Sequence, residues 1–156
     1  MFPMVQGTTR RRLRRRLTGM IVATVVCGAG ALAARGQSSL STWDGVYTEA
    51  QAAQGETVYV SHCVDCHGPD FAGREQAPAL AGLGFLDKWN GATVRKLLEA
   101  VEQMPPDQPK TLTPQQYVDV LAFVLSVNGF PAGPTALATD RPALARIEIK
   151  NVRPQK

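Results

Sequence analysis

The sequence predicts a small all-α domain, because three segments carry the signals of capped or amphipathic helices. They span about residues 48–61, 93–102 and 113–128 of the 156-residue chain. A chain of this length has room for one domain with appendages. Near the C-terminus, Asp140 is expected to cap a single helical turn, and residues 147–149 alternate like a short strand.

The first helix is predicted from the capping box that Thr48 forms with Gln51. Gly55, Tyr59 and Cys63 follow at intervals of one helical turn. A glycine inside a helix costs about 1 kcal/mol relative to alanine, so it usually marks a close contact. Gly55 therefore predicts a second element packed tightly against this helix, and the alternative is an incidental glycine.

The second helix is predicted from apolar residues at the spacing i, i+3, i+4 and i+7, which are Val94, Leu97, Leu98 and Val101. A residue that precedes proline is disfavoured in helical geometry. Because Pro105 and Pro106 follow Met104, the helix is expected to stop there, and the methionine is presented from a stiff loop.

The third helix is predicted from Thr113 and Gln116, a second capping box, with Pro114 at the first helical position. Asn128-Gly129 is expected to end it as a glycine C-cap. Between these signals one side of the helix is apolar, with the residues Tyr117, Val120, Leu121, Val124 and Leu125. This element is the last strong helix prediction along the chain.

The stretch Cys63-Val64-Asp65-Cys66-His67 carries the chemistry. Two cysteines separated by two residues and followed by histidine form the attachment pattern of a c-type haem. The two thiols add across the two vinyl groups of haem, and the histidine then lies beneath the macrocycle as an iron ligand. We therefore predict one covalent haem c, attached through Cys63 and Cys66, with His67 as the proximal ligand.

Two other chemistries compete for this motif. A zinc site usually needs four ligands, but the other histidine, His62, is adjacent to the motif, and the other cysteine, Cys27, lies near the N-terminus. A thioredoxin-like dithiol needs a βαβ context, and nothing near the motif alternates strands with helices. Both alternatives are disfavoured.

The charge distribution argues against nucleic-acid binding. Six of the 17 basic residues lie within Arg10–Arg16. From Ala34 onward, 11 basic residues stand against 13 acidic residues, which gives a net charge of −2. The high isoelectric point therefore describes the N-terminal segment, and the domain has no basic excess with which to bind a polyanion.

Residues 1–33 are predicted to be an export signal. A basic run precedes an apolar stretch that ends in Ala31-Leu32-Ala33, the small residues that a signal peptidase reads. The alternative is an uncleaved anchor, because the apolar stretch approaches the minimum length of a membrane span. We further predict a flexible linker at 34–42, a haem-binding domain at 43–130 and a C-terminal extension at 131–156.

Three residues after the motif are predicted to complete the haem site. A ligating histidine nearly always donates its second ring N–H to an acceptor, and the Pro78 carbonyl is the candidate. Leu80 is expected to pack on the haem. Trp89 either donates its indole N–H to a haem propionate or packs as an ordinary apolar residue.

Together these residues resemble the class I cytochromes c, the small monohaem electron carriers, over about Trp43–Phe130. The resemblance rests on the Cys63–His67 motif and on Gly55, Tyr59, Pro78, Leu80, Met104-Pro105, Val120 and Phe123. It implies crossed N- and C-terminal helices packed around the haem, with Gly55 and Tyr59 meeting Val120 and Phe123. It also implies His/Met axial ligation.

Met104 is the expected distal ligand under this resemblance. The other methionines, Met1, Met4 and Met20, lie in the predicted export signal, so Met104 is the only thioether left after cleavage. The alternative is a methionine that fills a gap in an apolar core. That alternative fits the surface-turn sequence Gln103-Met104-Pro105-Pro106 poorly.

The resemblance implies an electron carrier and no catalytic residues. It would pass single electrons in the periplasm from a dehydrogenase, such as a quinoprotein, to a cytochrome or an oxidase. One alternative is a haem enzyme or gas-binding protein, which needs an open iron position with a polar residue above it. Another is a fixed haem subunit of a dehydrogenase complex, with residues 131–156 as a docking strip. An uncleaved leader would anchor the protein in the membrane, facing the periplasm.

Overall fold

The structure is a computed structural model and describes residues 39–75 and 77–155. The predicted signal at 1–33 and the beginning of the linker lie outside the described residues. Helices dominate the described part, as the all-α prediction requires. In chain order the elements are β1 (Leu40–Ser41), α1 (Glu49–His62), α2 (Val64–His67), α3 (Leu83–Trp89), α4 (Val94–Val101), α5 (Pro114–Val127), α6 (Arg141–Leu144) and β2 (Ile147–Glu148).

The start of α1 confirms one part of the predicted capping box and corrects the other. The Thr48 hydroxyl accepts a hydrogen bond from the backbone N–H of Gln51, as expected. The Gln51 side chain turns inward instead of closing the box. Its Nε2 donates to Asp119 Oδ1 at 3.1 Å and to the Leu137 carbonyl at 3.0 Å, and its Oε1 accepts from the Leu137 N–H at 2.7 Å. Gln51 therefore joins α1 to α5 and to the C-terminal segment.

Helices α4 and α5 follow their predicted patterns. The apolar face of α4 is buried through Val94, Leu97 and Leu98. Helix α5 begins with the predicted capping box of Thr113 and Gln116. The short helix α3 was not predicted, because its seven residues lack a capping signal and a full helical period.

Helices α1 and α5 make the principal helix-to-helix contact. Gly55 lies directly against the backbone of Asp119 and the Cβ of Phe123, and a side chain at residue 55 would overlap both. The Tyr59 and Phe123 rings lie 5.5 Å apart, and Tyr59 is buried together with Val120. The predicted close contact between these two helices is confirmed, and the backbone nearest to Gly55 is that of Asp119.

The described part of the predicted linker is ordered structure. Leu40 pairs with Ile147, and Ser41 with Glu148, in a parallel two-stranded ladder. Ser41 is buried and also caps the short 3₁₀ turn that follows. The prediction of a flexible segment through residue 42 is therefore corrected for residues 40–42. No local pattern signals this pairing, because the partner strand lies at the other end of the domain.

The predicted boundary at residue 130 is also corrected, because the chain continues into the same core. The apolar residues that join the core beyond this point are Leu137, Leu144, Ile147 and Ile149. Ile149 exchanges two backbone hydrogen bonds with the turn before α4, donating to the Ala92 carbonyl and accepting from Gly91 N–H, each at 2.8 Å. The predicted Asp140 cap is confirmed by its bond to the Ala143 N–H. Residues 131–155 complete the domain.

The described helices are all too short or too polar to cross a bilayer.

Candidate haem site

A cavity of about 370 Å³ is lined by residues of helices α1 to α5 and of the loops between them. This volume is within the range of cofactor and ligand sites, which are typically about 300–1,000 Å³. Apolar side chains make up most of its wall, including Phe85, Leu97, Val101, Leu112, Val120 and Val124. Cys63, Cys66, His67 and Met104 all line this same cavity.

His67 occupies the last position of α2 and is only 9% exposed. Its Nδ1 lies 2.9 Å from the Pro78 carbonyl oxygen. A carbonyl can only accept, so Nδ1 carries the proton and donates it. The lone pair of the ring then resides on Nε2, which is the tautomer that a metal ligand requires.

The loop after α2 brings Pro78 to His67 by folding back on itself. Gly73 has φ of +78°, and a Cβ there would overlap the backbone of Ala77 and Pro78. Only glycine allows both this conformation and this approach. The Gly73 N–H donates to the His67 carbonyl at 3.0 Å, and the Leu80 N–H donates to the Phe71 carbonyl at 2.8 Å. The loop is thus fixed to the residue that it orients.

Tyr59 connects α1 to the end of α2. Its hydroxyl donates to the Gly68 carbonyl at 2.6 Å, and its ring packs against Phe71 and Phe123. Burial raises the pKa of Tyr59 to about 12, with smaller contributions from the charges of Cys63 and Asp70. Tyr59 therefore stays neutral and continues to donate throughout the physiological range.

The two cysteines differ in their surroundings. Cys66 is exposed, whereas Cys63 is partly covered. Burial, and then the neighbouring Cys66, raises the pKa of the Cys63 thiol to about 11. In the folded chain the Cys63 thiol is therefore protonated at neutral pH and is a weak nucleophile.

Met104 follows α4 on a loop and is 40% exposed. Its backbone N–H donates to the Val101 carbonyl at 3.0 Å, which fixes the loop to the helix end. Pro105 and Pro106 line the cavity beside it. A thioether is a soft, uncharged iron ligand, so the donor set at this wall suits haem.

Leu80 and Trp89 also line the cavity. The Trp89 ring lies 6.4 Å from that of Phe85, and the ammonium of Lys88 lies 5.7 Å from its centroid. These contacts are those of a packed aromatic residue, and a hydrogen bond from Trp89 to a propionate remains a prediction.

Asn128 contributes a tether that the sequence did not reveal. Its Nδ2 donates to the Leu80 carbonyl and to the Val124 carbonyl, each at 2.8 Å, and its Oδ1 accepts from the Gly82 N–H at 3.1 Å. The sequence signal Asn-Gly predicted only the end of α5. Asn128 in fact fixes the segment that follows Pro78 to that helix.

The helical fold and the grouping of Cys63, Cys66 and His67 on one cavity are consistent with a c-type cytochrome. Residues 50–124 match the family model of cytochrome C oxidase, cbb3-type, subunit III. The cytochrome bc1 complex cytochrome c subunits of Mycobacterium bovis and Mycobacterium tuberculosis are 26% identical over 150 residues, which cover 92% of this chain and 52% of theirs. The cbb3-type cytochrome c oxidase subunit CcoP of Rubrivivax gelatinosus is 32% identical over 84 residues, which cover 51% of this chain and 27% of that subunit.

This chain spans about half the length of the bc1 relatives and about a quarter of the oxidase subunit. No solved structure matches it significantly. The chain is thus similar to proteins described as cytochrome c subunits, and the Cys63–His67 motif that attaches haem c lies within the matched segment. The cavity fits that group, because the thiols, the oriented imidazole and the apolar wall that it needs lie together.

Proposed function

We propose that this chain is an exported electron carrier. Its haem is attached through Cys63 and Cys66, with His67 and Met104 as axial ligands. The observation that carries the proposal is the cavity whose wall holds all four side chains, with His67 already oriented by Pro78. The haem iron supplies one-electron chemistry, alternating between ferrous and ferric states.

The residues around the site have three tasks in this proposal. The Pro78 carbonyl fixes the His67 ring and increases its basicity as a ligand. The Met104 sulfur favours ferrous iron, which raises the reduction potential. Apolar residues such as Phe85 and Leu97 exclude water and lower the local dielectric, which disfavours the more highly charged ferric state.

No catalytic residue is part of the proposal. A haem enzyme or gas-binding protein needs an open iron position. With Met104 as the sixth ligand that position is filled. Substrate binding would then require displacement of the thioether.

We propose periplasmic residence, with residues 1–33 removed on export and residues 39–155 forming one domain. An uncleaved leader would instead hold the same domain at the membrane surface. The relatives belong to a bc1 complex and a cbb3-type oxidase by name. We therefore propose partners among the respiratory redox proteins, with a dehydrogenase or bc1-type donor and a cytochrome or oxidase acceptor.

A fixed subunit of a respiratory complex is the second candidate, and the names of the relatives favour it. The burial of Leu137, Leu144, Ile147 and Ile149 within the domain argues against residues 131–156 as a docking strip. A complex would have to use another surface.

The test is to express the full chain in a host that attaches c-type haem. Intact mass should show one added haem and loss of the leader, and the product should undergo reversible one-electron reduction without turnover of peroxide. Cys63→Ala should lose one thioether bond, as seen in the pyridine haemochrome spectrum. Unchanged haem content and bond number in that variant would contradict the attachment. Purification of the native protein with a larger subunit at fixed stoichiometry would favour the second candidate.

A further inference from the structure

An ion pair outside the haem cavity joins the C-terminal segment to the end of α4. Arg141 Nη2 donates to both carboxylate oxygens of Glu102, at 2.6 and 2.8 Å. The Glu102 side chain is only 15% exposed, whereas that of Arg141 is 47% exposed. The carboxylate is thus largely covered, and the arginine reaches it from the surface.

Glu102 is also the base of the methionine loop, which we define as residues 103–109. Its N–H donates to the Leu98 carbonyl at 2.9 Å and so continues the helix. Its carbonyl accepts from the Lys110 N–H at 3.0 Å, which joins the far end of the loop to its beginning. One residue therefore fixes both ends of the loop that presents Met104.

Arg141 is itself held on a fixed support. It is the first residue of α6, which Asp140 caps and whose Leu144 is fully buried in the core. Further along, Ile149 is hydrogen-bonded to Ala92, just before α4 begins. The C-terminal segment therefore contacts α4 at both of its ends.

We propose that Arg141 is a positioning residue for the distal ligand: its ion pair with Glu102 restrains the methionine loop and keeps the Met104 thioether on the iron. The inference rests on the proposed His67/Met104 ligation. It gives residues 131–155 a role in ligation in addition to their role in packing.

The geometry makes this pair stronger than most surface ion pairs. Exposed pairs contribute little, because two flexible side chains must be ordered and salt screens their charges. Here both hydrogen bonds are short and charge-assisted, and the carboxylate is mostly covered. The remaining exposure of Arg141 means that the restraint should weaken as ionic strength rises.

The experiment compares Arg141→Gln with Arg141→Lys in the haem-loaded protein and measures the rate of cyanide binding to ferric iron, which requires release of the thioether. The matched control is Lys150→Gln. It removes an exposed ion pair with Glu148 (3.6 Å) that shares no partner with Arg141 or Glu102, whereas Glu99 is unsuitable because it lies 4.0 Å from Arg141. We expect cyanide binding to be roughly two- to fivefold faster in Arg141→Gln, intermediate in Arg141→Lys, and unchanged in Lys150→Gln. The difference from wild type should shrink in high salt.

A second readout follows the loop itself. The amide of Lys110 should exchange its proton faster in Arg141→Gln than in wild type. The two proteins are compared at temperatures that lie equally far below their own melting temperatures, so that a difference in global stability does not contribute. Equal cyanide rates in Arg141→Gln and wild type would overturn the proposal, and so would faster exchange with unchanged cyanide rates. Failure of the proposed ligation is separately visible, because Met104→Ala would then keep the wild-type absorption and potential.

Discussion

Gly55 lies against the backbone carbonyl of Asp119, and this contact sets how closely α1 approaches α5. A Cβ at residue 55 would overlap the Asp119 carbonyl and would also press on the Phe123 side chain. Because the opposing group is backbone in the middle of a helix, it cannot turn aside as a flexible side chain would. Helices α1 and α5, which both line the cavity, therefore approach each other more closely than a side chain at residue 55 would allow.

Gly55→Ala should force the helices apart and lower the free energy of unfolding by about 1–3 kcal/mol, the usual cost of overpacking. Denaturant titration of the haem-loaded protein measures this. Gly84→Ala is the matched control, since Gly84 is helical and has open space around its Cβ position. That substitution should stabilise the protein by up to about 1 kcal/mol. Equal stability of Gly55→Ala and wild type would show that the helix contact tolerates a side chain.

Tyr59 should make the stability fall in alkali. The unfolded chain loses its phenol proton near the ordinary tyrosine pKa of 10.0, whereas the folded protein retains it to about 12. Above pH 10 the unfolded state alone gains from ionisation, so the free energy of unfolding falls as the pH rises from about 10 to about 12. Below pH 10 the contribution is fully present. Unfolding titrations across this range measure the slope.

Tyr59→Phe should flatten this alkaline slope. It should not remove the slope entirely, because burial, followed by the charge of Glu49, also raises the pKa of Tyr47. The charge of Cys63 disappears once the thiol becomes a thioether, but burial, the largest cause for Tyr59, remains. An identical slope in wild type and Tyr59→Phe would mean that other groups control alkaline unfolding.

Gln51→Leu should destabilise the attachment of the C-terminal segment. The substitution leaves both the N–H and the carbonyl of Leu137 without the side chain that they bond, which costs about 1–3 kcal/mol. Gln54→Leu, an exposed position on the same helix, is the control and should have little effect. Thermal unfolding compares the two. Equal melting temperatures for both variants would mean that water replaces the lost bonds without penalty.

Met104→Ala should open the iron to cyanide or carbon monoxide and lower the reduction potential, because the soft ligand that favours ferrous iron is lost. Met104→His should keep the iron six-coordinate and also lower the potential. Absorption spectra and potentiometry distinguish these states. A Met104→Ala protein with the wild-type spectrum and potential would place the distal ligand elsewhere.

The features that the sequence predicted are those with local causes. The caps at Thr48 and Thr113, the apolar stripe of α4 and the Cys63–His67 motif each depend on residues within about one or two helical turns. Gly55 was informative because glycine destabilises the interior of a helix, so its presence there indicates a close packing contact. The Pro78 carbonyl could be proposed from the general need of a ligating histidine for an acceptor.

The features that escaped prediction join distant residues. Gln51 bonds Leu137, Asn128 bonds Leu80, and Arg141 bonds Glu102, at sequence separations of 86, 48 and 39. The local pattern assigned Gln51 to a capping box and Asn128 to the end of a helix, and no local pattern involved Arg141. The boundary at residue 130 was misplaced because the apolar residues beyond it have no helical period, so nothing marked them as core.

The pairing of β1 with β2 joins the beginning of the domain to its C-terminal segment. The Trp43 indole bonds the Lys150 carbonyl across 107 residues, beside the same ladder. A contact between such distant residues must close a long loop, so it forms later in folding than the local helices. In the proposed export of an unfolded chain, the Cys63–His67 segment therefore stays accessible to haem attachment until the two ends of the domain meet.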